Sequence, residues 1–200
     1  MPEEERLSDR LDRWLGGEGT KTLGSLIEVF GEKSFAVLFV ILLAIPALPL
    51  PTGGVTHVFE LIAMLLAIEL IAGRREVWLP DRWCRRELSA STRKRFSQVL
   101  VKRIRWLERH SRPRLAGLLA YRLSGVVYGA VVLALIVTAF VAPPFSGLDT
   151  LPALGVVLIS LGVLLEDALL GLVGAIVGAI GVILVIVLGR AAFEGARHLL

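Results

Sequence analysis

The chain alternates between long apolar runs and short polar stretches. From Phe35 to Ala72 only Glu60 and Glu69 are charged, and from Leu123 to Gly189 only Asp149, Glu166 and Asp167. Before the first run, Leu7, Leu11, Trp14 and Leu15 fall on one helical face, and Gly16-Gly17 breaks that helix. A second amphipathic piece carries Leu23, Leu26, Ile27 and Phe30 at helical spacing, with Gly31 placed to end it. Residues 1–33 therefore read as an amphipathic cytoplasmic arm.

Five apolar segments follow: 34–51, 54–72, 121–142, 148–165 and 168–189. The first ends among Pro46, Pro49 and Pro51, where missing backbone donors forbid a straight helix. The first two segments sit near the lower limit for crossing a hydrocarbon core of about 30 Å. Two thin spans fit residues 34–72, and so does a re-entrant hairpin turning at 49–54 around Gly53. A second proline turn, Pro143-Pro144 with Gly147, separates the third and fourth segments. The expected fold is all-α and polytopic: two proline-turn helical hairpins at 34–72 and 121–190, a basic segment between them, and a tail at 191–200.

Composition sharpens this picture. Apolar residues make up 55% of 200 positions and the mean hydropathy is +0.73. So much apolar surface cannot be hidden inside a chain this short, and lipid is the solvent that accepts it. Residues 73–115 hold 14 Lys/Arg against 4 Asp/Glu, whereas the whole chain has a net charge of only +4. The positive-inside rule puts this block in the cytoplasm. Within it Phe96, Val99, Leu100, Ile104 and Leu107 share one face, with Arg93, Lys94, Arg95, Lys102, Arg103 and Arg105 around the rest. That is a basic amphipathic helix suited to anionic headgroups, and nucleic acid is the weaker alternative. No cleavable signal peptide is visible. The expected location is a bacterial inner membrane, with multiple passes.

The two apolar regions resemble each other. A shift of 94 residues sets Pro49 on Pro143, Thr52-Gly53 on Ser146-Gly147 and Thr56 on Thr150. Duplicated hairpins recur in transporter-like folds, with sites where the halves meet. Coincidence is the alternative, because proline-glycine turns between apolar helices arise for simple physical reasons.

Ionisable groups in apolar segments are functional candidates by default. His57 and Glu60 lie three apart on one helix face and are placed to pair, as a proton or cation relay or as a local hydrogen-bond network. Glu69, near the basic exit, reads as pairing with Arg74 or reaching water. Arg74, Arg75 and Arg122 are candidate phosphate ligands, although charge topology explains them equally well. Glu166 and Asp167 are adjacent and cannot face each other as a dyad. They mark a boundary, with Asp167 a candidate cap for the last helix and Asp149 for the one before it. Gly171, Gly174, Gly178 and Gly181 line one face of the last segment, and Gly125 and Gly129 form a further GxxxG, which suits close helix packing within or between chains. A homodimer is one expected use of such faces. The lone Cys84 excludes an internal disulfide. No triad, zinc spacing or Walker motif is present, so neither enzyme chemistry nor a metal or cofactor is expected.

In order and spacing the chain resembles the ExoD family of exopolysaccharide-synthesis membrane proteins. The resemblance is carried by Leu7-Ser8-Asp9, by Gly31-Glu32-Lys33-Ser34-Phe35 and by the turn from Pro46 to Gly53. It continues through Gly73-Arg74-Arg75 with Trp78-Leu79-Pro80, then Pro144-Phe145-Ser146 with Leu151-Pro152-Ala153-Leu154, and Leu161-Gly162 followed by Glu166-Asp167. Where the family pattern has glycine after that aspartate, this chain has Ala168, which puts a tight glycine turn there in doubt. The resemblance implies a role in exopolysaccharide production, in contact with the synthesis machinery, and names no reaction. Three roles fit: a small transport-like or lipid-handling module, a membrane scaffold, or a proton/cation exchanger using His57 and Glu60.

Overall fold

The computed structural model describes residues 7–17, 22–48, 55–74, 77–78, 105, 122–143 and 146–199. These hold seven α-helices: α1 (Leu7–Gly16), α2 (Leu23–Phe30), α3 (Ser34–Leu43), α4 (Val55–Ile71), α5 (Arg122–Val141), α6 (Thr150–Leu164) and α7 (Ala168–Leu199). A single 3-10 turn, Gly31–Lys33, joins α2 to α3.

Local chemistry sets the arm. Thr22 and Ser25 form a reciprocal capping box at the start of α2, each hydroxyl accepting from the other's backbone N–H at 3.2 Å. Gly31 ends α2 at φ +52°, a conformation open to glycine at little cost. The Trp14 indole N–H donates to Ser25 Oγ at 3.1 Å and Arg10 donates to the Val29 carbonyl at 2.5 Å, which docks α1 on α2. Trp14 and Phe30 are buried, and α2 packs on α3.

All ten residues of α3 are buried. At about 1.5 Å per residue it is roughly 15 Å long, so it is surrounded by protein and does not cross a bilayer as a helix by itself. It stops at Leu43, and the chain turns through a buried Pro46, whose ring and missing N–H end helical pairing. Pro49, Pro51 and Gly53, central to the expected first turn, lie outside the described residues, as do Pro144, Arg75 and Cys84.

The packing partners are α3 with α4 and α6, α4 with α5, α5 with α6, and α6 with α7. Close contacts give the directions. Gly125 meets Leu70, Gly129 meets Ala67 and Ile71, and the His57 ring lies tilted against Phe140 with centroids 5.1 Å apart, so α4 and α5 are antiparallel. Gly162 touches Gly171, Gly155 touches Gly174 and Gly178, and Pro152 touches Gly181, so α6 and α7 are antiparallel. The Tyr128 hydroxyl donates to Ser160 Oγ at 2.8 Å, and Lys33 pairs with Glu166 at 3.0 Å. The starts of α3, α5 and α7 and the ends of α4 and α6 therefore share one end of the bundle, here called the basic end. The opposite, or turn, end holds the starts of α4 and α6.

The glycines explain the tightest crossing. A Cβ at Gly155 would lie 2.6 Å from the Gly178 Cα, and one at Gly174 would lie 2.6 Å from the Ile159 backbone N. Only glycine lets the two backbones approach this closely.

The outer surface of the bundle carries many exposed apolar side chains. Val58, Leu61, Leu65 and Ile68 form an exposed stripe on α4, and Val127, Val131, Val137 and Val141 lie exposed on α5. On α7, Leu169, Leu172, Val173, Ile176, Ile180 and Ile183 face outward while Gly174, Gly178 and Gly181 face inward. Ala168–Arg190 is long and apolar enough to cross a membrane, and among the described residues it is the one helix that is. A soluble protein does not expose an apolar face of this extent, so this is a membrane protein built of apolar helices. Helix α7 also runs beyond Arg190 to Leu199, through residues that the pattern alone reads as a tail.

Candidate functional site

Two polar constellations stand inside this apolar frame, one at the turn end and one at the core. At the turn end, the first turns of α4 bring His57 and Glu60 onto one face. His57 Nδ1 lies 2.8 Å from Glu60 Oε2. The Glu60 side chain is 0% exposed and that of His57 is 31% exposed. Glu60 Oε1 is buried and finds no hydrogen-bond partner among the described residues. Phe140 of α5 packs on the imidazole. The carboxylate thus has one oxygen tied to a half-buried imidazole and one oxygen in an apolar interior. Keeping a carboxylate there costs several kcal/mol unless it is paired or protonated.

The core constellation is the Tyr128–Ser160 hydrogen bond, with Phe39 edge-on to the Tyr128 ring at 5.9 Å. Neither residue is charged, and the partners lie 32 positions apart, so periodicity does not single them out. Ser34 Oγ is also buried, with no hydrogen-bond partner among the described residues.

At the basic end, Glu166 and Asp167 diverge, as adjacent residues must. Asp167 Oδ1 accepts from the Leu169 and Leu170 N–H groups at 2.9 and 3.4 Å and caps α7. Asp149 does not do the same for α6. It occupies the N-cap position, but at φ −67° and ψ −26° it makes no side-chain cap bond. A capping side chain requires an extended backbone there, and the Gly147–Thr150 turn holds Asp149 helical. Gly147 itself sits at φ +69°, and the Ser146 hydroxyl bonds the Pro143 carbonyl at 2.6 Å.

The tight turn between α6 and α7 forms without glycine. Glu166 takes φ +55°, its N–H bonds the Val163 carbonyl, and the Asp167 N–H bonds the Gly162 carbonyl at 2.8 Å, which is a Schellman closure. Its side chain reaches Lys33 across 133 residues of sequence. The strain of a left-handed glutamate and the ion pair are of similar size, about 1 kcal/mol each. Glu166→Gly is therefore expected to leave stability within about 1 kcal/mol of the parent, whereas the β-branched Glu166→Val falls below both. Unfolding in mild detergent checks the ranking.

Glu69 does not pair with the Arg74 side chain as the sequence suggests. Its Oε2 accepts from the Trp78 backbone N–H at 2.9 Å, and the Arg74 guanidinium lies over the Trp78 ring at 5.9 Å. Arg122 opens α5 at this same end. Of the basic amphipathic helix only Arg105 is described, and it pairs with Asp12 and, at 3.8 Å, with Asp9 of α1. Among the described residues no cluster of His, Cys, Asp and Glu could hold a metal ion.

The family model for exopolysaccharide synthesis protein ExoD matches residues 7–187. The chain belongs to the ExoD family. That family is associated with exopolysaccharide synthesis. Protein ExoD of Rhizobium meliloti is 29% identical over 187 residues, 90% of this chain and 75% of that one. The uncharacterized protein slr1875 of Synechocystis sp. is 30% identical over 168 residues, 82% of this chain and 78% of its own length. No solved structure matches.

Proposed function

We propose that this ExoD family member is a multi-pass protein of a bacterial inner membrane that supports exopolysaccharide synthesis as a small proton-translocating transport module. Glu60 is the coupling carboxylate and His57 carries protons between it and the turn-end face. One observation carries the reading: a fully buried carboxylate joined to a half-exposed histidine at the end of an apolar bundle.

The packing supports a duplicated core. Exchanging α3 with α5 and α4 with α6 turns the α3–α4 contact into α5–α6, and α3–α6 into α5–α4. All four contacts map onto one another, and the starts of α3 and α5 share an end. The two halves then have the same orientation, about an axis along the bundle, as in parallel-repeat transporters. A scaffold that recruits a second copy through the α7 glycines is less favoured, because Gly174, Gly178 and Gly181 are already covered by α5 and α6. Enzyme chemistry has no supporting group in this reading.

The test is proton flux in liposomes. With the purified chain reconstituted and an imposed pH gradient, an entrapped pH dye is expected to relax faster than in protein-free liposomes. Equal rates in the two would remove the proposal.

A further inference from the structure

A second site lies at the opposite, basic end and is independent of Glu60. The Schellman closure at Gly73, φ +81°, ends α4 and turns the chain out of the bundle. Glu69 then fixes the departing segment by accepting the Trp78 N–H at 2.9 Å. This leaves the Trp78 side chain 60% exposed, beyond the end of a helix whose outer stripe is apolar. The Arg74 guanidinium lies over that ring, itself exposed, and no carboxylate of the described residues forms an ion pair with it. Helix α5 starts beside this point, since Gly125 meets Leu70. The segment that leaves here is the most basic of the chain.

An exposed tryptophan at the end of an apolar helix marks the headgroup level of a bilayer. An arginine held on its face presents a planar fork of donors that matches a phosphate, and aromatic stacking reduces the ordering cost of the fork. We infer that the α4 exit, with Arg74 and Trp78 at its centre, binds the phosphate of an anionic membrane lipid. The ligand is a lipid and not a free anion, because the ring and the α4 stripe supply an apolar wall that only an acyl-bearing molecule covers.

The experiment uses the full chain in mixed micelles with equimolar phosphatidylglycerol and phosphatidylcholine, and native mass spectrometry reads the lipids retained. The wild-type chain is expected to prefer phosphatidylglycerol. Arg74→Gln should reduce that preference about fivefold, the equivalent of about 1 kcal/mol for one basic residue near an anionic leaflet. Arg74→Lys, which keeps the charge and loses the fork, should fall between the two. Arg190→Gln removes an exposed cation far along α7 and should change nothing. An equal loss in Arg74→Gln and Arg190→Gln would overturn the site, and so would no loss in either. Displacement of the lipid by excess inorganic phosphate would overturn its assignment to a lipid.

Discussion

Glu60→Gln is expected to lower proton flux at least tenfold while the chain stays folded. Glutamine keeps the size of the side chain and offers His57 a carbonyl oxygen, but it does not ionise. The loss therefore reads the ionisation alone. Stability should change by no more than about 1 kcal/mol, because glutamine keeps the contact with His57 and places no charge in the apolar interior. His57→Ala should slow the flux without abolishing it, since the half-exposed imidazole is the connection between Glu60 and water and not the buried acid itself. If Glu60→Gln retains wild-type flux, the carboxylate is structural and the coupling role is wrong.

The second large effect lies at the α6–α7 crossing. Gly162→Ala would set a Cβ 2.6 Å from the Gly171 N and 2.8 Å from its Cα, and Gly174→Ala one 2.6 Å from the Ile159 N. These neighbours are backbone and cannot rotate away, so the helices must separate. Overpacking of this kind costs about 1–3 kcal/mol per site, and in lipid there is no hydrophobic gain between helices to offset it. Gly171→Ala is the matched control. Its added Cβ meets nothing within 4 Å, and alanine in a helix interior gains about 0.5–1 kcal/mol over glycine. Reversible unfolding in detergent should therefore move in opposite directions for Gly174→Ala and Gly171→Ala on one helix face. Movement in the same direction would mean that the crossing is looser than described.

These two sites differ in how far they could be read from sequence. His57 and Glu60 are three residues apart on one helix, so their pairing follows from helical geometry. The glycine face of α7 is likewise visible as a spacing, although whether it meets the same chain or a second copy is not. The Asp167 cap was legible because its position alone decides it. Asp149 looks equivalent in sequence but fails, since the turn before α6 imposes a helical backbone on it. Ala168 puts only a glycine turn in doubt, and the turn does close without glycine, at Glu166; nothing in the residue type announces a left-handed glutamate. Tyr128–Ser160 and Lys33–Glu166 join distant segments, and no local pattern encodes them. Nor did the apolar pattern distinguish α3, which is buried in protein on all sides, from α7, which exposes most of its surface. In a membrane protein both lipid and protein interiors select apolar residues, so the period that marks a core face in water is lost.

Everything above depends on the bundle crossing the bilayer with its turn end and its basic end at opposite faces. Single-cysteine labelling tests this directly, in a Cys84→Ser background with cysteine at Ser146 or at Arg105 and a membrane-impermeant maleimide added to intact cells. Ser146→Cys is expected to label in intact cells, and Arg105→Cys only after the membrane is opened. Labelling of both from the same side would contradict the architecture and the transport reading with it.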